Sequence, residues 1–216
     1  MVFVCYTRRD LKENEMQALG KGWETIMIKR YVVFDLEATC WHRGKEQAPS
    51  EIIEIGAVRF SLPDSDEAPE TPGAATPEFQ TFVRPFMAPK LSAFCTELTT
   101  IRQSDVDPAP RFPEALQAFH RWAAEAGDFT LAAWGNYDGA QIGRDCAKHG
   151  IDNPFESLPY VNVKVAFAKH LKLRRGMGLG GALRKVGLPQ EGTAHRAIDD
   201  ARSVVRILRT GVAEAL

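Results

Sequence analysis

Residues 32–41 read VVFDLEATCW, and the reading of this stretch decides the fold. Tyr31, Val32, Val33 and Phe34 form a short β-prone apolar run, the pattern of a buried strand, and Asp35 cuts it off where a strand end meets solvent or a site. Side chains alternate faces along a strand, so Asp35 and Glu37 project to one side and Leu36 to the other. Two carboxylates on one face at a strand end make a hard-oxygen half-site suited to Mg²⁺ or Mn²⁺. A bare Asp-x-Glu equally describes two solvated acids, so partners elsewhere in the chain must decide.

Working outward, residues 52–60 (IIEIGAVRF) read as a second strand and residues 79–85 (FQTFVRP) as a third. Between them residues 61–78 are rich in Pro, Ala and acids without helical or strand period, which predicts an exposed hairpin loop. Pro113 suits a first helical turn, and Ala115, Leu116, Phe119, Trp122, Ala123 and Ala126 recur at helical spacing until Gly127. Residues 129–134 read as a fourth strand, 138–149 as a helix stopped by Gly150, and 160–167 as a strand or a strand-to-helix transition. A short helix follows from Leu179, and the last runs from His195 to Arg209 with Ala197, Ala201, Val204, Val205 and Leu208 on its apolar face. Strands first, then alternating helices and strands, predict an α/β fold: a mixed β-sheet flanked by α-helices. Residues 1–28 carry weak periodicity and form an extension whose structure the sequence leaves open.

Three further residues join the first pair of acids. Asp138 falls where a β-prone run turns into a helix, a place where α/β sheets expose functional side chains and where Asp also serves as an N-cap. Asp200 lies in the last helix, and Asp199 beside it points about 100° away around the axis, so one can face a site while the other faces water. His195 stands at the loop-to-helix junction just before them, where an imidazole could take a proton from water. His42, His120, His149 and His170 have no organised acidic surroundings and read as surface or packing residues.

The chain of 216 residues and 24.0 kDa has room for one sizeable core, and 44% hydrophobic with 25% charged residues is an ordinary globular balance. No apolar run approaches the roughly 20 residues of a membrane span, and Arg8, Arg9 and Asp10 interrupt the apolar start, so a cytoplasmic protein without membrane contact is expected. Cys5, Cys40, Cys95 and Cys146 are far apart, without zinc-ligand spacing, and read as reduced thiols. The net charge of −1 hides a gradient: residues 1–140 hold 14 Lys and Arg against 21 Asp and Glu, and residues 141–216 hold 13 against 7.

With these residues in place, the sequence resembles the DEDDh branch of the DnaQ-like 3′→5′ exonucleases, whose fold is RNase H-like. The first motif stands as FDLEATCW, the second as WGNYD and the third as HRAIDDA, and the phrases EIIEIGAV and ELTTIRQSDVDPAP are most similar to the group of histone-mRNA 3′ exonucleases and KapD-like proteins. The resemblance covers about residues 29–210 and implies an exonuclease domain over 29–212. It implies that Asp35, Glu37, Asp138 and Asp200 hold two divalent ions, Mg²⁺ or Mn²⁺, and that His195 is the general base. Asp200, five positions beyond the histidine and before an alanine, matches the family's final acid. It further implies that Ala38 and Thr39 approach the terminal nucleotide, that Leu98 and Ile101 wedge against its base, and that Tyr137 stacks on or supports the substrate.

The implied reaction is release of nucleoside 5′-monophosphates from the 3′ end of single-stranded RNA or short oligoribonucleotides. Single-stranded DNA and a non-catalytic nucleic-acid-binding regulator are the alternatives. The basic run Lys164, Lys169, Lys172, Arg174 and Arg175, followed by glycines at 176, 178, 180 and 181, reads either as a phosphate track or as a solvated helix face and turn. No motif points to a protein partner.

Overall fold

A central strand, β1 (Lys29–Ala38), organises the molecule, flanked on one side by antiparallel β2 (Ile52–Leu62) and on the other by parallel β4 (Thr130–Ala133). β3 (Glu78–Phe82) extends the β2 edge antiparallel and β5 (Tyr160–Asn162) the β4 edge parallel, giving the order β3-β2-β1-β4-β5. The computed structural model describes residues 29–45, 48–62 and 76–215, so the expectations for residues 1–28 and for loop residues 63–75 lie outside it.

Strand alternation sorts the core into two layers. Tyr31, Val33, Val58 and Phe60 face α5 (Val163–His170), α6 (Leu179–Lys185) and α7 (Ala197–Leu208). Val32, Phe34, Leu36, Ile55 and Ala57 face α3 (Phe112–Ala124) and α4 (Tyr137–His149). Asp35 and Glu37 continue the odd-numbered face, so they lie on the α7 side. The strand does not stop at Asp35 as the apolar run suggests. Its backbone pairs onward with β2, Asp35 opposite Gly56 and Glu37 opposite Glu54, because ladder bonds are indifferent to a polar side chain that reaches a cleft.

α7 sits on β2 with backbone against backbone. A Cβ on Gly56 would lie 2.2 Å from the Ile198 nitrogen and 2.3 Å from the Ala197 carbonyl carbon, so only glycine admits this approach.

Two short helices, α1 (Ala93–Thr99) and α2 (Gln103–Val106), have no counterpart in the sequence pattern because neither is long enough to show a period. Caps define them instead: Ser92 Oγ accepts from the Cys95 N–H at 3.0 Å, and Asp105 accepts from the Arg102 N–H at 2.8 Å. The hairpin expected at 61–78 is shorter than read, since β2 continues through Leu62. β3 covers 78–82 rather than 79–85, and Val83 still donates to the Ile53 carbonyl at 2.9 Å. The last helix begins at Ala197, not His195, because His195 has φ +61° and Arg196 is extended.

Candidate active site

Four elements deliver the acids and the histidine. β1 presents Asp35 and Glu37, the first turn of α4 presents Asp138, α7 presents Asp200, and the loop before α7 presents His195. Ligand atoms of Glu37, His195 and Asp200 lie within 4.8 Å of one another. The N-cap of α4 is Asn136, so Asp138 is not the cap. Its carboxylate is buried beside the backbone of Asp138 and Leu36, which sets the start of α4 against β1 beyond the point where β1 and β4 pair.

The two adjacent acids on α7 part company as their angular separation requires. Asp200 turns inward, and its Oδ2 accepts the His195 N–H at 3.1 Å. Asp199 turns outward, accepting from the Thr193 N–H at 2.9 Å and from Arg202 Nη1 at 2.8 Å.

Gathering these acids is electrostatically costly. Burial, and then the charges of Asp138, Glu37, Asp200 and Glu54, hold Asp35 well above the usual carboxylate range. Burial, reinforced by Asp200, Glu54 and Asp138, pushes Glu37 up to about 8. Asp138 is raised by burial to about 6, against the opposing pull of the neighbouring backbone and of Lys164, and burial also raises Asp200. A set of hard oxygens crowded together with too little neighbouring positive charge is what divalent cations neutralise, so the residues present fit such ions.

A pH dependence follows. Between the ordinary value of 4.5 and about 8 the folded protein keeps a proton on Glu37 that the unfolded chain has released. Folding is therefore favoured at the acid end of this window, and metal-free stability falls as pH rises through it, by on the order of a few kcal/mol. Melting curves in EDTA should show the midpoint dropping from pH 5 to pH 8, and added Mn²⁺ should restore it at pH 8. A midpoint that is flat or rises over this range would contradict the crowded arrangement.

The residues expected at the substrate divide. Ala38 ends β1, and Tyr137, 52% exposed, opens α4 with the Arg144 guanidinium 5.3 Å from its ring centre. Leu98 is 37% exposed on α1. Ile101 is fully buried against Ile53, Cys95 and Val106, so it cannot be a wedge on the surface: the turn between α1 and α2 points it inward. Thr39 is likewise buried, with its Oγ1 accepting from the Glu51 N–H and its own N–H donating to the Glu51 carbonyl, so it organises the strand end rather than offering free groups. Of the basic run, Lys164 is drawn toward Asp138, and the glycine at 176 leaves room for its stem, whereas Lys169, Lys172, Arg174 and Arg175 are exposed. His42, His120 and His149 pack against Phe94, Phe155 and Phe112.

The sequence reading missed three buried acids: Asp145, whose Oδ2 accepts the Ile52 N–H at 2.7 Å, and the pair Glu51 and Glu54. Glu51 accepts the N–H groups of Phe86, Met87 and Ala88 at 3.0, 2.7 and 3.0 Å, and Glu54 pairs with Arg196. The signal for this pair was available: an acid every third position in the otherwise apolar EIIEIG.

Residues 32–208 match the model of the RNase_T family, described as exonuclease. The chain belongs to the RNase_T exonuclease family. Among curated relatives, the 3′-5′ exonuclease Snipper of Drosophila melanogaster is 31% identical over 80% of this chain and 66% of its own length. Human ERI1 exoribonuclease 2 is 28% identical over 86% of this chain and 28% of its own length. The chain thus spans about two thirds of the first relative and little more than a quarter of the second. The nuclease domain of 3′hExo, a DEDDh family member solved bound to rAMP, superimposes with a TM-score of 0.74 at 27% identity, covering 86% of this chain and 92% of that one. The mixed sheet flanked by helices is thereby the RNase H-like fold of the DEDDh nucleases, a family that works with divalent metals.

Proposed function

We propose that residues 29–212 form a 3′→5′ exonuclease that hydrolyses single-stranded RNA or short oligoribonucleotides from a free 3′-OH and releases nucleoside 5′-monophosphates. The observation that carries this is the convergence of Asp35, Glu37, Asp138 and Asp200 with His195 at one end of the sheet. Two divalent ions, Mg²⁺ or Mn²⁺, held by the four carboxylates would supply Lewis acidity toward the scissile phosphate and a lowered pKa for the attacking water. His195, on the exposed side of the cluster, takes the proton of that water. Asp200 holds the His195 backbone through the N–H it accepts, which steadies the imidazole against the attack line. Lys164 places positive charge beside Asp138, where a phosphate would approach. Ala38, Leu98 and Tyr137 border the position of the terminal nucleotide, with Ile101 packed beneath as support. RNA is favoured over DNA by the exoribonuclease names of the relatives. The free thiols Cys40, Cys95 and Cys146 suit a reducing, cytoplasmic setting.

The test is digestion of matched 5′-labelled single-stranded RNA and DNA with Mg²⁺ or Mn²⁺, with EDTA as control. The expected result is a ladder shortening from the 3′ end, 5′-monophosphate products, and faster loss of RNA. Equal or faster loss of DNA would reassign the substrate, and no cleavage by folded protein with either metal would replace the enzyme with a nucleic-acid-binding regulator.

A further inference from the structure

Glu54 is fully buried, stands directly opposite Glu37 across the β1–β2 pair, and shares its face with Asp35, Glu37 and Gly56. Like charges in that register repel, so its presence needs a reason. Its oxygens are all committed. Oε1 accepts from Gln80 Nε2 at 2.5 Å and from Arg196 Nη2 at 3.1 Å, while Oε2 accepts from Arg196 Nε and from the Ala197 N–H, each at 3.1 Å. This occupancy keeps Glu54 out of the set that faces the ions. It also grips the two residues that follow His195.

His195 has φ +61°, a left-handed conformation that a non-glycine residue adopts only when its surroundings impose it. On its N-terminal side the imposition is its own N–H on Asp200, at 3.1 Å. On its C-terminal side it is the fork of Arg196 and the N–H of Ala197 on Glu54, over a Gly56 that lets α7 seat against β2. Arg196 is further steadied over the Phe82 ring, 5.2 Å from its centre.

We infer that Glu54 is a positioning residue for His195: through Arg196 and Ala197 it fixes the left-handed turn from which the imidazole reaches the attacking water. The inference rests on the exonuclease reading above. Glu54→Gln keeps the size and one acceptor but removes the charge, and Arg196, partly exposed, is then free to leave. The turn relaxes while Asp35, Glu37, Asp138 and Ala38 stay in place. kcat should fall by about 10- to 100-fold, the scale of a small misplacement of a reacting group, with KM changed by less than about 3-fold.

A double-substitution cycle separates this role from a general loss of stability. In a His195→Ala background, Glu54→Gln should cost little more, since the group it positions is gone. Gln80→Ala removes a different hydrogen bond from the same carboxylate and should leave kcat near the wild-type value. If Glu54→Gln fails to fold, Arg196→Gln cuts the same link from the solvent side and should show the same kcat loss and the same lack of additivity. Equal losses with and without His195, a loss confined to KM, or unchanged kcat would each overturn the inference. An inactive wild-type chain would instead remove the exonuclease reading beneath it.

Discussion

Asp35→Asn is expected to lower metal-dependent degradation by roughly 10³-fold or more, because under the proposed function several kcal/mol of charge stabilisation at the scissile phosphate would depend on ions that this carboxylate helps to hold. The same substitution should raise the melting temperature in EDTA. Asp35 is pressed by burial and by Asp138, Glu37, Asp200 and Glu54, so making it neutral relieves the metal-free fold. Activity and stability thus move in opposite directions, which no general unfolding defect can mimic. Asp199→Ala is the control: its carboxylate is occupied by Thr193 and Arg202, and its loss should leave turnover far closer to wild type than Asp35→Asn does. Comparable losses at the two positions would reverse the assignment of Asp200 as the inward acid, and a fall in the EDTA melting point would contradict the crowding of the carboxylates.

His195→Ala should slow hydrolysis by about 10²- to 10⁴-fold, the reach of a general base, with the loss in kcat rather than KM. Its backbone N–H to Asp200 survives the substitution, so the carboxylates keep their arrangement. Calorimetric titration with Mn²⁺ should therefore find the affinity close to that of the wild-type protein. Turnover within a few-fold of wild type would take the proton-removing role away from His195. A collapse of Mn²⁺ affinity would make it a ligand instead.

Much of this site is legible in the chain because its key signals are local. A period of two places Asp35 and Glu37 together, and helical geometry separates Asp199 from Asp200; both hold in the structure. What local pattern leaves open is set by long-range pairing. Whether Asp138 caps a helix or faces the cluster depends on where α4 begins, and Asn136 takes the cap. Leu98 and Ile101 look interchangeable in ELTTI, yet the turn from α1 to α2 sends one to the surface and the other into the core. Glu54 gains its role from the β1–β2 register and from Arg196, which is 142 positions away. No window of neighbouring residues contains that relation.

The order of the elements along the chain has a consequence for how the protein is made. β1, which brings Asp35 and Glu37, lies near one end of the described residues, and α7, which brings Asp200 and follows His195, lies near the other. Synthesis runs from the N-terminus, and domains fold as units once their parts have emerged. A growing chain can pair β1 with β2 while the final acid and the histidine are still unmade. Under the proposed activity, the nascent polypeptide stays harmless to the message being translated until α7 has docked.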